Sequence, residues 1–310
     1  MQVFRGIPER AEHGCVLTIG NFDGVHRGHQ ALLAQLRAKS EATGLPAAVL
    51  TFEPHPREYF AHEDRPRRLT SLREKILLLK DQGVDRLYIG RFNQKLAGLT
   101  AEAFIEDVLV HGLGVRHLLI GDDFCFGKGR KGNFAMLQAA GEKVGFGVES
   151  MHTFRHDDER VSSSAVRAAL AEGDMPHAAR LLGRPYSISG RVMHGDKIGR
   201  TIGFPTANIQ LKHRSPPLMG IYTVSVDGLA DHPWPGVASV GVRPTINDAG
   251  RPTLEVHLFD WNTDCYDAHL RVNFLRKQRD EERYDSLDAL TAQIARDAEE
   301  ARAYFVQNPL

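Results

Sequence analysis

The chain has 310 residues, which exceeds the usual size of about 100–200 residues for one domain and therefore indicates two domains. Hydrophobic residues make up 42% of it and charged residues 25%, values that exclude a wholly disordered or fibrous protein. Its 39 basic and 39 acidic side chains balance, so the chain has no global field to hold a polyanion. This balance disfavours a dedicated nucleic-acid binder or membrane-surface protein.

No feature of the sequence directs the chain to a membrane or to an oxidising compartment. No apolar run approaches the roughly 18 residues of a membrane span. The N-terminal segment is polar and charged, and it lacks the core of a signal peptide. The three cysteines, Cys15, Cys125 and Cys265, show no CxxC spacing, so disulfides and thiolate zinc sites are not expected. We therefore predict a cytoplasmic, soluble protein.

The first half alternates short apolar runs, which predict β-strands, with helical patterns. The predicted strands cover residues 16–20, 47–52, 86–90, 117–121 and 146–151. Helices are predicted near Gly28, after Ser71 and over residues 101–110. Continuous apolar strands alternating with helices are typical of a parallel sheet covered on both faces. Ligands of such sheets bind at the carboxyl ends of the strands, so the loops that follow strands are the candidate sites.

The pattern changes after two short helical stretches, residues 164–170 and 175–182, which Gly183 and Pro185 terminate. Short β-type runs then cover residues 187–192, 221–226, 236–242, 254–259 and 270–274. Strands at this spacing favour an antiparallel sheet or a small barrel. A long helix closes the chain, and its apolar stripe comprises Leu287, Leu290, Ile294, Ala298 and Phe305. We place the domain boundary at residues 183–186, which gives domains of residues 1–184 and 185–310.

The loop after the first predicted strand reads GNFDGVHRGH, residues 20–29. Its HxGH motif places His26 and His29 on one face of the first helical turn. Free N–H groups and the helix dipole attract anions there, and glycines let a phosphate approach the backbone. Two imidazoles can stabilise charge that develops at an α-phosphate and its leaving group. The motif is short, and its position between a buried strand and a helix is the context that supports this interpretation.

Three further loops carry groups suited to phosphate binding. Residues 52–56, FEPHP, follow the second strand and are stiffened by two prolines. Residues 121–132, GDDFCFGKGRKG, combine acidic, aromatic, glycine and basic residues, although the basic ones also fit a solvated turn. Residues 162–167, SSSAVR, place hydroxyls, free N–H groups and an arginine at a helix start, where a plain serine cap is the alternative. The four loops together predict a phosphate-binding site in the first domain.

The second half carries a glycine-rich segment that leads into GFPTAN, residues 203–208. Its glycines can form a backbone nest for phosphates, but the segment is not a P-loop because it lacks the GKS/T ending. Thr206 and Asn208 point to one side of an extended segment and carry hard oxygen ligands suited to Mg²⁺. A glycine-rich turn with a Pro-Thr bend is the alternative.

Farther along, LEVHLFD, residues 254–260, alternates apolar and polar residues. Glu255 and His257 therefore share one face of the predicted strand. A solvated glutamate on a half-exposed strand is the default interpretation of this pattern taken alone.

GNFDGVHRGH, TFEPHP, GDDFCFG and SSSAVR, in this order, resemble the motifs of the N-terminal half of the bacterial bifunctional riboflavin kinase/FAD synthetases, a family of the nucleotidyltransferase superfamily. The resemblance implies that His26 and His29 contact ATP phosphates and that His55 lies in a mobile loop near the FMN phosphate. It also implies nucleotide- or flavin-binding roles for further motif residues. These are Asn21, Asp23, Gly24, Asp123, Ser163, Ser164 and Arg167. Cys125 and Ser164 depart from the family, which usually has a larger polar or basic residue and a threonine there.

The segment GRVMHGDKIGRTIGFPTAN, together with GIYTV, GVRPT and LEVHLFD, resembles the riboflavin kinase domain of the same family, a small flavin-binding β-barrel. The resemblance implies that Thr206 and Asn208 bind the Mg²⁺-nucleotide and that Glu255 is the catalytic base. Arg279 falls on the segment before the last helix, which helps to cover the flavin. The glycines implied to bind the nucleotide are Gly195, Gly199 and Gly203. The likeness spans nearly the whole chain and implies a Rossmann-like α/β domain followed by an antiparallel barrel with a C-terminal helix.

The resemblance implies two consecutive transfers. ATP phosphorylates riboflavin to FMN in the second domain, and a second ATP adenylylates FMN to FAD and pyrophosphate in the first. Mg²⁺ is the expected cofactor and small molecules are the expected partners, with no nucleic acid, membrane or obligate protein partner. One alternative is that only one domain is catalytically active and the other is degenerate. Another is that the protein is a flavin- or nucleic-acid-binding regulator. The presence of all the motif residues named above counts against the first alternative. Glu255, the PTAN residues and the zero net charge count against the regulator.

Overall fold

The computed structural model describes residues 1–61, 65–157, 159–195, 199, 202–211, 215–242 and 252–310. The contacts within the chain divide it into two compact units. The first unit comprises Met1–Pro66 and Leu72–Ser162, and the second comprises Arg67–Ser71 and Ser163–Leu310.

The first unit is built on a six-stranded parallel sheet with the strand order β1-β4-β3-β2-β5-β6. The strands are β1 (Gln2–Arg5), β2 (Cys15–Ile19), β3 (Ala47–Glu53), β4 (Arg86–Arg91), β5 (Val115–Gly121) and β6 (Gly147–Met151). A two-stranded ribbon of β7 (Arg155–His156) and β8 (Glu159–Arg160) follows them. Every residue of β2 is buried, as expected of a central strand with both faces covered. The predicted parallel sheet is confirmed.

Helices enclose this sheet in two separate cores, to which alternate residues of β2 contribute. Leu17 belongs to one core, with Leu109 and Leu137. Val16 belongs to the other core, with Leu33 and Leu79. The helices of this unit are α1 (Arg27–Thr43), α2 (Pro56–Phe60), α3 (Leu72–Asp81), α4 (Gln94–Ala97), α5 (Ala101–Ala103), its π-helical continuation (Phe104–Gly112) and α6 (Phe134–Val144).

Several elements of this unit are not predicted from the sequence, among them β1 and α6. All four residues of β1 are exposed, because it is a short strand at the edge of the sheet. Helix α6 buries Leu137 and Gly141, and its Phe134, Met136 and Ala140 pack partly buried against the same core. Contacts with the rest of the sheet hold both β1 and α6 in position.

The loop after β2 lies where the strand order reverses, because β3 and β4 lie on one side of β2 and β5 and β6 on the other. In α/β sheets the ligand crevice opens at this point, beyond the carboxyl ends of the strands. The loops that follow β3 and β5 leave the sheet at the same edge. The fold therefore brings together the three motifs of this unit that the sequence places after strands.

The second unit is built on a closed six-stranded antiparallel barrel with the strand order β10-β13-β12-β11-β14-β9. The strands are β9 (Tyr186–Met193), β10 (Ala207–Ile209), β11 (Gly220–Asp227), β12 (Trp234–Val242), β13 (Pro252–Leu258) and β14 (His269–Arg279). Leu254 and Val256 of β13 are buried inside the barrel, whereas Glu255 and His257 lie half-buried on its outer face. The predicted barrel is confirmed. The sequence does not predict β10, since three residues are too few for a recognisable alternation.

Helix α9 (Leu287–Gln307) packs on the outside of the barrel, and the predicted C-terminal helix is confirmed. Ala298 and Ala301 fill a small cluster with Ile221 and Phe259. Leu287 is 55% exposed, so the first position of the predicted apolar stripe is wrong: the first turn of α9 lies outside this buried cluster. At 21 residues α9 is the longest helix, and no helix in the described part of the chain is long and apolar enough to span a membrane.

Helices α7 (Ser163–Glu172) and α8 (Met175–Leu182) also belong to the second unit. Helix α8 contacts β9 and β14 of the barrel. It buries Met175, Ala178, Leu181 and Leu182 almost completely. The compact units therefore divide after Ser162, whereas the boundary that we place from the sequence follows α8.

Because α8 covers part of the barrel, we expect the fragment of residues 163–310 to be more stable than the fragment of residues 185–310. Burial of a methionine or leucine side chain contributes about 1.5–3 kcal/mol, so loss of Met175, Leu181 and Leu182 destabilises the shorter fragment by about 5 kcal/mol. Urea unfolding of both fragments, followed by circular dichroism, measures the difference. Equal free energies of unfolding would show that α8 does not contribute to the stability of the barrel.

Candidate active sites

The HxGH motif forms the start of α1, and its two imidazoles stack on each other. The ring centroids of His26 and His29 are 3.7 Å apart, with the rings inclined by 17°. His26 is the N-cap of α1, where its Nδ1 accepts a hydrogen bond of 3.3 Å from the backbone N–H of His29. The predicted arrangement of both imidazoles on one face of the first turn is therefore confirmed.

Gly28 favours this stack, because a side chain there would make a tight contact with the ring of His26. A Cβ atom on Gly28 would lie 3.2 Å from Cε1 and Nδ1 of His26 and 3.5 Å from the carbonyl oxygen of Val161. The preceding loop is also strained, since Phe22 and Val25 adopt positive φ angles of 48° and 41°. Such angles are rare for bulky side chains and are typical of backbones held for function.

His29 is held in its neutral form. Burial lowers the pKa of His29 well below its usual value, and electrostatic interactions with His26 and Lys75 lower it further. The ring also lies 4.9 Å from that of Phe22, measured between centroids. A neutral imidazole near pH 7 can accept a proton or donate one N–H to a ligand oxygen.

Several buried polar atoms around this loop have no hydrogen-bond partner among the described residues. They are Oγ1 of Thr18, Oδ1 of Asn21, Nε of Arg27 and Nδ1 of His29. Buried polar groups of native proteins are nearly always bonded, so a local group of exceptions marks a place where a ligand or water completes the bonding. Asn21 and His29 are among the site residues predicted from the sequence, whereas Thr18 and Arg27 are not. Asp23 is buried in the same loop, as is Gly24.

His55 lies at the carboxyl end of β3, where it caps α2. Its Nδ1 accepts a hydrogen bond of 3.0 Å from the backbone N–H of Arg57. The rings of Tyr59, Phe60 and Phe92 meet edge to face beside it, with centroids 5.2–5.7 Å apart. Phe60 is 66% exposed, an uncommon position for a phenylalanine. Sequence reasoning missed this aromatic cluster, although two adjacent aromatics in the turn after a proline-rich loop were a usable signal.

The loop after β5 is tied to the ribbon of β7 and β8. Asp123 pairs with Arg160 at 2.6 Å, and Asp122 accepts a hydrogen bond of 3.1 Å from the backbone N–H of Thr153. The carboxylate of Asp123 is 70% exposed, so this pair orients the loop more than it stabilises the fold. Arg160 was missed because nothing in its spacing relates it to Asp123. The basic residues 128, 130 and 131 are exposed, as the solvated-turn interpretation expects.

Ser163, Ser164 and Arg167 lie at the start of α7, where the sequence predicts a helix N-terminus. They belong to the second compact unit, whereas the HxGH loop belongs to the first. The Nε of Arg167 donates a hydrogen bond of 2.6 Å to the carbonyl oxygen of Arg67.

The barrel carries a second row of polar side chains on its outer face. Asn208 of β10 lies directly opposite Glu255 of β13, and Ser239 of β12 lies opposite Glu255 on the other side. Residues directly opposite in antiparallel strands project from the same face, about 4.5–5.5 Å apart at Cβ. The structure thus brings together an amide, a carboxylate and a hydroxyl that are far apart in the sequence. Thr206 immediately precedes β10.

Glycines make room for the side chains of this row. A side chain on Gly195 would overlap the amide group of Asn208, and one on Gly199 would overlap the carbonyl oxygen of Phe204 and lie 3.4 Å from Oγ1 of Thr206. Gly203 has a φ angle of +86° and faces open space. Residues 196–198, 200 and 201 of the glycine-rich motif, and residues 243–245 of GVRPT, lie outside the described residues. The hydroxyl and amide oxygens beside this cradle are hard donors that fit Mg²⁺.

The segment after β14 is fixed to the barrel by two carboxylates. Asp297 of α9 accepts two hydrogen bonds from Arg279, of 2.9 Å from Nε and 2.7 Å from a terminal nitrogen. Glu281 accepts hydrogen bonds from the hydroxyl of Ser239 and the N–H of Val242. Burial raises the pKa of Glu281, and the nearby charge of Glu255 adds to this effect. Glu281 therefore lies close to the polar row, a position that nothing in its sequence context indicates.

We expect Asp297→Asn to lower the free energy of unfolding by about 3 kcal/mol, because it leaves a largely buried guanidinium without its bidentate partner. Urea unfolding of the full chain measures this change. The exposed pair of Asp260 and Arg302 provides the control, since Asp260→Asn removes a similar bidentate contact in solvent and should have a much smaller effect. If both variants lose the same free energy of unfolding, burial does not make the Arg279–Asp297 pair more stabilising than the exposed pair.

Comparison with known proteins relates both units to flavin enzymes. A family model for FAD synthetase matches residues 8–165, and one for riboflavin kinase matches residues 182–305. The bifunctional riboflavin kinase/FMN adenylyltransferase of Escherichia coli is 51% identical over 309 residues, with 98% of each chain covered. That of Pseudomonas fluorescens is 52% identical over 305 residues, with 98% of this chain and 97% of the relative covered.

A similar solved structure is described as a macrolide-efflux protein from Streptococcus pneumoniae. It has a TM-score of 0.83 and 29% sequence identity, and the match covers 97% of this chain and 99% of that one. The two family models match the part of the chain that holds the parallel sheet and the part that holds the barrel, and the relatives cover nearly the full length. The chain therefore belongs to the family of bifunctional riboflavin kinase/FMN adenylyltransferases.

Proposed function

We infer that this chain makes FAD from riboflavin in two steps, each of which consumes one ATP. The barrel transfers the γ-phosphoryl group of ATP to riboflavin, giving FMN and ADP. The α/β unit transfers the adenylyl group of a second ATP to FMN, giving FAD and pyrophosphate. The observation that carries this conclusion is the presence of two separate polar sites, the stacked His26 and His29 pair in one unit and the Asn208–Glu255–Ser239 row in the other.

In the kinase step, we propose that Glu255 accepts the proton of the ribityl 5′-hydroxyl. The hydroxyl oxygen then bonds to the γ-phosphorus, and the bond between this phosphorus and the β,γ-bridging oxygen breaks. Thr206 and Asn208 lie beside Glu255 and would hold Mg²⁺, which neutralises charge on the nucleotide phosphates when bound. Gly195, Gly199 and Gly203 let the backbone approach the nucleotide. Arg279 fixes the segment that covers the flavin, since Asp297 holds its guanidinium.

In the adenylyl step, we propose that a phosphate oxygen of FMN attacks the α-phosphorus of ATP, and pyrophosphate leaves. FMN phosphate is already anionic near neutral pH, so this step needs orientation and charge stabilisation more than a base. His26, His29 and the N–H groups of α1 would stabilise the phosphates. The residues of this unit further proposed to bind the nucleotide or the flavin are Asn21, Asp23, Gly24 and Asp123. The sequence resemblance supports a phosphate-binding role for Ser163, Ser164 and Arg167.

His55 would bind the FMN phosphate at the edge of the same crevice. The aromatic cluster beside it, with the exposed ring of Phe60, offers an apolar surface for the flavin ring. The sequence resemblance and the position of His55 after β3 support this assignment.

The test of the proposed function is incubation of the purified protein with riboflavin, ATP and Mg²⁺, with separation of the flavins by chromatography. We expect FAD as the end product, with FMN as an intermediate. FMN alone would leave a kinase with a degenerate first unit, and unchanged riboflavin would point to a flavin-binding regulator. A parallel reaction that starts from FMN measures the second step alone. We also propose the cytoplasm as the location and small molecules as the only partners, since both steps draw on ATP.

A further inference from the structure

His257 contacts the backbone of the PTAN segment from the neighbouring strand. It lies two residues after Glu255 on the outer face of β13, and its Nδ1 is 2.9 Å from the carbonyl oxygen of Pro205. A carbonyl oxygen only accepts hydrogen bonds, so Nδ1 carries the proton in this contact. The ring is also held edge to face by Phe204 and Phe259, at centroid distances of 5.4 Å and 5.8 Å.

This contact begins where the backbone ladder ends. The pairing of β10 with β13 extends from Ile209 to Ala207, which lies opposite Val256. One residue farther, His257 replaces the backbone ladder with a side-chain hydrogen bond. The carbonyl of Pro205 and the N–H of Thr206 belong to one planar peptide, so the bond to Pro205 fixes the direction in which the chain enters Thr206.

The other end of the segment is held by the backbone N–H of Phe204, which donates a hydrogen bond of 2.8 Å to the carbonyl oxygen of Gly199. Thr206 therefore lies between Phe204, whose N–H is hydrogen-bonded, and Ala207, where the strand pairing begins. The hydrogen bond from His257 to Pro205 holds the chain between these two points. Loss of this hydrogen bond would remove a restraint on the orientation of the peptide before Thr206.

We propose that His257 is a positioning residue of the kinase step, which orients Thr206 toward the nucleotide phosphates through its hydrogen bond to Pro205. This proposal rests on the proposed function of Thr206 and Asn208. His257 touches no reacting atom in this scheme: it acts through the backbone of the PTAN segment. A purely structural role, in which the ring only fills space between Phe204 and Phe259, is the competing explanation.

Two substitutions separate these explanations. In His257→Asn the amide nitrogen takes the place of Nδ1 and can still donate to Pro205, whereas in His257→Gln it takes the place of Nε2 and cannot. Both substitutions remove the ring, so both lose its packing against Phe204 and Phe259. If the ring only packs, both variants should be impaired equally. If His257 positions Thr206, His257→Asn should keep the hydrogen bond to Pro205 and the kinase activity that His257→Gln loses.

The first measurement needs no ligand: hydrogen exchange of the full-length protein, read by mass spectrometry on a peptide covering residues 203–209. For His257→Gln we expect exchange in this peptide to accelerate about tenfold, as for loss of one hydrogen bond that holds it. For His257→Asn we expect exchange close to that of the parent. Unchanged exchange in both variants, or an equal increase in both, would overturn the positioning role.

The second measurement is the steady-state kinetics of riboflavin phosphorylation. His257→Gln should raise the KM for ATP about tenfold with a smaller change in kcat. His257→Asn should have a KM for ATP close to that of the parent protein. Formation of FAD from added FMN is the internal control and should be the same in all three proteins. Faster exchange in His257→Gln with an unchanged KM for ATP would also overturn the proposal. That result would show that Thr206 does not bind the nucleotide as proposed. If instead the exchange rates of the two variants do not differ, His257 does not hold the PTAN segment.

Discussion

Substitution of Glu255 by glutamine should slow the formation of FMN by the roughly 10²–10⁴-fold that is typical of the loss of a general base. The amide keeps the shape of the side chain but cannot take the proton of the 5′-hydroxyl. Glu255 lies half-buried on the outer face of the barrel, between Asn208 and Ser239, so the substitution leaves the barrel core untouched. Riboflavin and ATP should therefore still bind to the variant.

The same variant should make nearly normal amounts of FAD when FMN is supplied, because FMN brings its own anionic nucleophile to a different unit. The measurement is the initial rate of each step, with riboflavin and with FMN as the starting flavin. Glu299→Gln, which alters an exposed carboxylate on α9, is the matched control and should not affect either rate. If Glu255→Gln phosphorylates riboflavin at close to the parental rate, Glu255 is a structural strand residue.

The sequence predicts this site only in part, because the site depends on strand register. Glu255 and His257 are predictable as one face of a strand from the alternation of LEVHLFD, and the structure confirms it. The pairing of Glu255 with Asn208 joins residues 47 positions apart, and no local pattern encodes it. Register follows from closure of the whole barrel, in which one slipped residue would turn every side chain to the opposite face.

Other features escaped prediction because they arise from packing between distant elements. The amphipathic pattern of α8 predicts a buried face but does not say which sheet covers it, and the structure places that face against the barrel. Arg279 is recognisable only as part of a motif, while its partner Asp297 lies on a helix whose own pattern suggests an exposed carboxylate. The aromatic cluster around Phe60 depends on Phe92, which follows a different strand.

The α/β site is the opposite case, since its main feature is local in sequence. The two imidazoles are three residues apart in one helical turn, so the motif alone places them together, and the apolar run before it predicts β2. The neutral state of His29 could not be predicted in this way. It results from burial beneath neighbouring elements and from the nearby charge of Lys75, which is contributed by α3.

His29→Ala should lower the rate of FAD formation from FMN by about 10²–10³-fold, the effect expected when one preorganised donor to developing charge is removed. FMN formation from riboflavin should remain close to parental, because the kinase residues lie in the other compact unit. His29 is a cleaner target than His26. The side chain of His26 caps α1, so its removal also costs about 1 kcal/mol of helix stability and mixes a folding effect with a catalytic one.

The experiment compares the two rates in His29→Ala and in His13→Ala, an exposed histidine of the same unit that serves as the control. Since alanine at position 29 leaves the stacking face of His26 empty, thermal unfolding of the variant should accompany the kinetics to show that the unit remains folded. Loss of both activities in a folded variant would mean that the two steps do not occupy separate units. Loss of FAD formation alone would locate the adenylyl transfer at the start of α1, where the imidazole of His29 and the free N–H groups of the helix can donate hydrogen bonds to a phosphate.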